Sequence, residues 1–282
     1  MFSHLLPVVV AFLPATVSAY GRIGHWLTGE IAHHLLSAPA KEWTNALLPE
    51  YDGSLARAAL WADEVKPPWS KSHHYVNPPR DCTALSPTNC NCILSAIGNY
   101  TTRLADPTTP HPARNEALKF VIHYIGDIHQ PLHVSGRFKG GTEMKVLFDS
   151  HHTSLHEVWD YLMLERSTKF LGLSRTDYAQ HLLSNYPSPT PCPSSSSSFS
   201  PSPTLPACPL LWGTESANLN CGLVWANLTI GTDLAHSGYY DVALPALEQG
   251  VVAAAYRIAT LINAIVEMPH DADPETLLKI QT

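Results

Sequence analysis

The sequence predicts an all-α protein, mostly helical and built as a single domain. Two observations support this fold class. Several segments repeat their apolar residues at the spacing of an α-helix, and no segment shows a strand-rich or alternating β-α pattern. With 282 residues, of which 45% are hydrophobic, the chain is long enough to bury a sizeable core.

Five segments are predicted to be helices. The first carries Ile23, Leu27 and Ile31 at helical spacing, which places them on one face. Pro67 and Pro131 end the second and third helices, because proline cannot continue a helix. The last segment is long and apolar and is interpreted as a core element. The predicted bounds are 23–36, 54–66, 115–129, 154–166 and 244–266.

Residues 1–19 have the composition of a signal peptide. An apolar stretch at 5–13 is followed by Val17-Ser18-Ala19, with small residues at the last and third-last positions, as signal peptidase requires. The alternative is a buried N-terminal helix. Cleavage after Ala19 predicts a secreted protein whose mature domain, 20–282, begins at Tyr20.

All six cysteines follow this segment, so in a secreted chain they meet an oxidising compartment and can pair. Cys192 and Cys208 flank a segment at about 186–208 that is rich in proline and serine and is predicted to be a loop insertion. A disulfide between them would close that loop within one domain. Asn99 and Asn227 begin Asn-x-Thr sequons and are predicted glycosylation sites.

Net charge and hydrophobicity argue against two classes of protein. A formal net charge of −7 does not suit a protein that wraps DNA or RNA through phosphate contacts. No apolar run approaches the roughly 20 residues of a membrane span, so no membrane partner is predicted. The 16 histidines instead favour metal binding or a response to pH.

Two His/Asp pairs carry the strongest chemical signal. His123 and Asp127 are four residues apart, and so are His156 and Asp160, which places each pair on one face of a helix. His133 follows a helix-ending proline and can turn back from the loop. Imidazole nitrogen with carboxylate oxygen is a ligand set that suits zinc.

The segment His156-Glu157-x-x-Asp160 also looks like a degenerate metalloprotease helix with Glu157 as general base. This alternative is disfavoured, because Glu157 lies about 100° around the helix from His156. A protease reaches that arrangement only with a dedicated third ligand.

With these residues in order along most of the chain, the sequence resembles a known family: the zinc-dependent, single-strand-specific fungal nucleases with 3′-nucleotidase activity (type I nucleases). The motifs that carry the resemblance are the aromatic-Gly-x-x-Gly-His at 20–25, Trp61-Ala62-Asp63, His74-Tyr75-Val76-Asn77, the segment 95–101, the block 123–133, the segment 155–160, Glu215-Ser216 and Val224-Trp225.

The resemblance implies three zinc ions in a helical fold shared with a bacterial type of phospholipase C. By position, one ion would be held by Asp63, His74 and His123; a second by His133, His156 and Asp160; and a third by His25 with the backbone amine and carbonyl of Tyr20, while Asp127 would bridge the first and third.

It also implies a reaction. Water activated between zinc ions, in the neighbourhood of Asp63, would attack phosphorus in line. The expected substrates are single-stranded DNA, RNA and 3′-nucleotides, and the expected products are 5′-nucleotides and nucleosides. Tyr75, next to His74, is the candidate wall on which an unpaired base stacks, with an ordinary core tyrosine as the alternative. The protein is expected to be a monomer.

Some positions depart from the family or stay open. Tyr20 stands where the family usually has tryptophan, although its ligand atoms are backbone atoms. Tyr161 stands where secreted fungal relatives can carry an asparagine that contacts phosphate. His73 leaves the register of the ligand His74 open. The alternative functions are a zinc-dependent phospholipase C-like phosphodiesterase and a secreted, non-catalytic metal or nucleic-acid binder.

The family also implies a long-range disulfide, Cys82–Cys221, which leaves Cys90 and Cys92 for each other. The alternative joins Cys82 to Cys92 and Cys90 to Cys221. The sequence does not decide between them.

Overall fold

The structure, a computed structural model, describes residues 20–78, 85, 90–190 and 207–268. This part of the chain is mainly helical and contains one small sheet, so the predicted all-α class is confirmed. The α-helices are α1 (Gly21–Leu35), α2 (Ala38–Leu47), α3 (Leu55–Ala58), α4 (Trp61–Val65), α5 (Ile93–Ala105), α6 (His111–Ile128), α7 (Leu155–Glu157), α8 (Met163–Leu171), α9 (Arg175–Asn185), α10 (Ala207–Leu219) and α11 (Tyr239–Glu267).

Shorter helical segments complete the architecture. The 3₁₀ segments are Pro49–Tyr51, Pro68–His74 and Pro131–Val134. The π-turns are Val158–Leu162, between α7 and α8, and Asn220–Val224, which follows α10. π-turns inserted in helices are frequent at functional sites.

Helix α6 lies at the centre of the molecule. Every residue from 117 to 135 is buried, and α6 packs against α1, α5 and α11. A helix that is apolar around most of its circumference must be covered on all sides. The polar side chains within this stretch therefore have to find partners inside the protein.

Helices α1 and α11 pack against each other. Among the described residues, α11 is the one helix long and apolar enough to cross a membrane, but 67% of its apolar window is buried inside the structure. It is therefore a core helix, as its composition predicts. Pro245 lies inside this helix and, because proline has no N–H, removes one of its backbone hydrogen bonds.

The fold differs from the prediction at two segments, and helices α2, α5, α9 and α10 were not predicted. The segment predicted as one helix, 54–66, forms α3 and α4 instead, with Ala59 and Leu60 between them. Strands β1 (Lys145–Phe148) and β2 (His151–Ser154) form an antiparallel hairpin. Its two-residue turn, Asp149-Ser150, has φ values of 50° and 65°, the backbone that matches strand twist. Four-residue strands are too short to give a periodic signal.

Helix α10 and the π-turn that follows it support the end of α6. The Ser216 hydroxyl donates to the Ile128 carbonyl at 2.6 Å. The Asn220 amide donates to the Pro131 carbonyl at 2.7 Å. Both bonds are buried, so they hold the chain between α6 and the Pro131–Val134 segment, which contains His133, in one conformation.

Several predictions fall outside the described residues. These are the signal peptide (1–19), most of the Ser/Pro-rich insertion, and the disulfide partners Cys82 and Cys192. Cys208 and Cys221 are both disulfide-bonded. Cys90 and Cys92 are bonded to each other, so the alternative that pairs Cys90 with Cys221 and Cys92 with Cys82 is wrong.

Candidate metal centre

Histidine and aspartate side chains from α6 and from several other segments meet at one place. They form three groups in which the nitrogen and oxygen atoms of each group lie within 4.8 Å of one another. Such a spacing allows each group to hold a metal ion. The groups are Asp63, His74 and His123; His25, His123 and Asp127; and His133, His156 and Asp160.

Backbone carbonyls fix the orientation of three of these imidazoles. Nδ1 of His123 lies 2.7 Å from the Ala59 carbonyl. Nδ1 of His133 lies 2.8 Å from the His74 carbonyl, and Nδ1 of His156 lies 2.6 Å from the Gly140 carbonyl. In the neutral imidazole, donation from Nδ1 leaves Nε2 without a proton. This is the usual orientation of a histidine that binds a metal through Nε2.

The donor atoms that face the centre include several without a partner. In the part of the chain that the structure describes, the following atoms are buried and have no hydrogen-bond partner: both ring nitrogens of His25, Oδ1 of Asp127, and Nε2 of His133 and His156. Buried polar atoms without a partner cost free energy. Metal ions would satisfy them, so the residues present fit a metal centre.

Asp127 is the carboxylate at the middle of the centre. Its Oδ2 lies 2.9 Å from Nδ1 of His74 and 3.2 Å from Nε2 of His123, and its Oδ1 lies 3.2 Å from Nε2 of His25. Burial alone would raise the pKa of Asp127. The positive charge available on His123, His133 and His25 outweighs burial and holds that pKa well below its ordinary value. The carboxylate is therefore an anion with both oxygens available as ligands.

Asp160 has the same character in the third group. Its Oδ2 lies 3.0 Å from Nε2 of His156, and its Oδ1 lies 3.5 Å from Nε2 of His133. Burial would raise the pKa of Asp160, but these two imidazoles lower it to about 2. The opposite effect operates on His133, whose pKa is raised to about 9 because the charges of Asp127 and Asp160 outweigh burial.

Two helical glycines allow close packing around Tyr20 and His25. Its buried ring lies edge-on to the His25 ring, with 5.8 Å between centroids. A Cβ at Gly24 would lie 1.9 Å from that ring, and a Cβ at Gly126 would lie 2.9 Å from Nδ1 of His25. Glycine at 24 therefore leaves room for the Tyr20 ring, and glycine at 126 lets His25 approach α6.

A cleft of about 820 Å³ opens onto the centre. Tyr75 lines it and is 38% exposed, so it is not a core tyrosine. Three lysines also line the cleft: Lys66, Lys71 and Lys139. These lysines could not be predicted from the sequence. The cleft is assembled from segments about 60 residues apart in the chain, and isolated lysines have no periodic or spacing signal.

Hydrogen-bond contacts distinguish His74 from His73 and assign a structural role to Glu157. His74 belongs to one of the three His/Asp groups, whereas His73 Nε2 lies 2.8 Å from the side-chain carbonyl of Asn91. The Glu157 carboxylate accepts hydrogen bonds from Thr153 and from the Ser154 backbone. It caps a helix, so it is not oriented as a protease base.

Tyr161 is held by packing and one hydrogen bond, and the asparagines of both sequons are exposed. The Tyr161 hydroxyl donates to Glu157 at 3.4 Å. A Cβ added to Gly21 would lie only 2.7 Å from the Cβ of Tyr161, so Tyr161 packs closely on Gly21. Asn99 and Asn227 are both exposed, the exposure that attachment of a glycan requires.

The fold and the centre define a helical, metal-dependent enzyme. The model of the S1/P1 nuclease family matches residues 20–267, and the chain belongs to that family. Its relatives include nuclease P1 of Penicillium citrinum, which is 31% identical over 87% of this chain and 97% of the relative. Nuclease S1 of Aspergillus oryzae is 31% identical over 94% and 99%, and endonuclease 2 of Arabidopsis thaliana is 30% identical over 93% and 95%.

The family resemblance predicted from the motifs is confirmed. The chain is a nuclease, an enzyme that hydrolyses phosphodiester bonds. The match favours this activity over the phospholipase C-like alternative, and it covers nearly all the residues that form the fold.

Proposed function

We propose that this nuclease hydrolyses single-stranded DNA and RNA to 5′-nucleotides, removes the phosphate of 3′-nucleotides, and binds three zinc ions. The observation that supports the proposal most directly is the set of three His/Asp groups, two of which contain buried nitrogen or oxygen atoms with no hydrogen-bond partner among the described residues. Nitrogen with carboxylate oxygen is a ligand set that zinc accepts.

The proposed ligands follow these groups. Asp63, His74 and His123 would hold one ion, and His133, His156 and Asp160 a second. His25 and the backbone amine and carbonyl of Tyr20 would hold the third, with Asp127 bridging because its two oxygens face different imidazoles. Zinc bound here would supply an activated water nucleophile and neutralise charge on phosphoryl oxygens.

The chain's own residues would bind and orient the substrate. The exposed Lys71 of the cleft attracts a phosphodiester, and Tyr75 offers a ring on which an unpaired base can stack. Asp63 both lines the cleft and belongs to the centre, so it lies where a scissile phosphate would enter. A recessed site of this kind favours a flexible single strand over a stacked duplex.

Secretion is part of the same proposal. A free amine at Tyr20 exists only after the chain is cut behind Ala19, and the family match begins at residue 20. The exposed sequons and the disulfide-bonded cysteines support a secretory route. We further propose that the mature protein, 20–282, acts as a monomer.

The first test measures activity on the secreted, zinc-loaded protein. Denatured DNA and RNA are expected to give acid-soluble nucleotides with 5′-phosphates, and 3′-nucleotides are expected to release phosphate. The matched control is His123→Ala, which removes a donor shared by two of the groups. Release of phosphocholine from lecithin, with no action on nucleic acid, would overturn the proposal in favour of the phospholipase-like alternative.

The second test examines the N-terminus. Protein that begins at Tyr20 is expected to contain three zinc ions per chain, and protein with an added residue before Tyr20 is expected to contain fewer. Amino-terminal sequencing and elemental analysis of both preparations measure this directly. Equal zinc content in the two preparations contradicts the role of the Tyr20 amine.

A further inference from the structure

The loop between His133 and the hairpin has two different sides. Ser135, Lys139 and Gly140 line the cleft. Between them, Phe138 turns outward and is 47% exposed. Consecutive Cα atoms are about 3.8 Å apart, so this aromatic residue directly adjoins the wall of the cleft.

Phe138 belongs to a small cluster that joins this loop to the chain after α10. The Arg137 guanidinium lies 4.5 Å from the Trp225 ring centroid and 5.9 Å from that of Phe138. The two ring centroids are 6.1 Å apart. Arg137 and Phe138 are exposed, and Trp225 is half-buried. We call these three residues the Arg137–Phe138–Trp225 platform.

The backbone holds the platform in an unfavourable conformation. Phe138 and Lys139 have φ values of 47° and 51°, a region that bulky side chains rarely adopt. Gly140 continues the left-handed turn, where a Cβ would lie 2.7 Å from the Leu132 carbonyl oxygen. Strained residues held by their surroundings are frequent at binding sites.

The same turn is tied to the metal centre. The Gly140 carbonyl accepts the hydrogen bond that orients His156, at 2.6 Å. Phe138 is two residues from Gly140, and backbone hydrogen bonds close the turn that contains both; the Gly141 amide, for example, donates to the Arg137 carbonyl at 3.0 Å. The platform therefore has a fixed position relative to the third group of ligands.

We propose that the platform binds an unpaired base of the single-stranded substrate, one that flanks the nucleotide in the cleft. An exposed aromatic ring stacks on any base, and a guanidinium held on an indole presents its charge to the neighbouring phosphate. A base inside a duplex is already stacked and paired, so the platform selects single strands without selecting a sequence. The proposal rests on the proposed function.

Binding to the metal-loaded protein tests the platform without hydrolysis. The probe is a short oligothymidylate with phosphorodithioate linkages, which keep the bases and the negative charge and resist cleavage. Phe138→Ala is expected to raise its Kd about fivefold or more, the lower end of the effect of losing one base stack. Phe138→Tyr is expected to restore wild-type binding. Phe170→Ala is the matched control, because Phe170 is 87% exposed at the end of α8.

Two further readouts separate stacking from a general loss of structure. Arg137→Gln is expected to lower the slope of log Kd against log salt by about 0.7, the value for one contact to a single-strand phosphate. Trp225→Phe is expected to reduce the quenching of tryptophan fluorescence by the probe. Equal Kd values for wild type, Phe138→Ala and Phe170→Ala overturn the proposal, and so does failure of the wild-type protein to bind the probe.

Hydrolysis distinguishes the failure of this inference from failure of the proposed function. Phe138→Ala is expected to raise KM for single-stranded oligonucleotides about fivefold or more and to leave cleavage of the shortest substrate, which lacks a flanking base, unchanged. Platform-dependent binding without any hydrolysis contradicts the proposed function alone. Hydrolysis with equal KM values for wild type and Phe138→Ala contradicts the platform alone.

Discussion

The Gln130 side-chain amide donates to Oδ1 of Asp160 at 2.5 Å, and the same side chain's carbonyl accepts the Leu132 backbone N–H at 2.5 Å. Gln130 and Asp160 are both buried. One residue thus connects the end of α6, the segment that contains His133, and the π-turn that contains Asp160. The bond fixes one oxygen of Asp160 and leaves the other 3.0 Å from Nε2 of His156.

Replacement of Gln130 is therefore expected to weaken the third group of ligands. Gln130→Ala leaves Asp160 and the Leu132 amide without their partner, which costs about 1–3 kcal/mol of unfolding free energy. Loss of a residue that orients a ligand lowers metal affinity about 10- to 100-fold. Zinc competition titration and urea denaturation measure the two effects. The control is the exposed Gln180→Ala on α9; equal zinc affinity in the two variants would contradict a positioning role.

The contact between Tyr20 and Gly24 leads to a second prediction. Gly24→Ala places a methyl group 1.9 Å from the buried Tyr20 ring, so the ring must move. We expect a loss of about 1–3 kcal/mol in unfolding free energy, as for overpacking in a core, together with a loss of bound metal because Tyr20 lies beside His25. Gly222→Ala is the control, since nothing lies within 4 Å of its Cβ position. The idea fails if both alanine variants unfold at the same urea concentration.

The centre could be predicted from the sequence only where ligands are close in the chain. His123 and Asp127 share a helical face because helical geometry brings residues four positions apart together. The grouping of Asp63 with His74 is different. These residues lie on α4 and on a 3₁₀ segment, and their approach depends on how both segments pack against α6. The family resemblance, not the spacing, placed them together.

The features that the sequence did not predict also have physical explanations. The helix predicted at 54–66 breaks after Ala58, because the chain must turn so that the Ala59 carbonyl can bind His123. The role of Gln130 was not visible, because a buried glutamine has no sequence signal until its partner, 30 residues later, is known. Tertiary contacts decide such positions.

Removal of the metal is expected to destabilise the protein. At least five nitrogen or oxygen atoms of the described residues at this centre are buried without a hydrogen-bond partner, so chelation exposes their desolvation cost. One ion at about 100 times its Kd contributes roughly 2.7 kcal/mol, which corresponds to a fall in Tm of at least about 5 °C for a chain of this size. Calorimetry of chelated protein measures the shift. Zinc should restore the Tm and magnesium should not; an unchanged Tm after complete chelation contradicts the metal centre.

The last prediction concerns the charge of the cleft. Lys71 lines the cleft and is exposed, so its ammonium group can contact a phosphate of the substrate. Lys71→Gln is expected to raise KM for single-stranded DNA with little change in kcat, because the interaction is present in both the ground state and the transition state. The slope of log KM against log salt should fall by about 0.7, as expected when one contact to a single-strand phosphate is lost. Lys169→Gln on α8 is the matched control, because Lys169 is exposed and is not part of the cleft wall. If both variants show the same salt dependence as the wild-type enzyme, Lys71 does not contact the substrate.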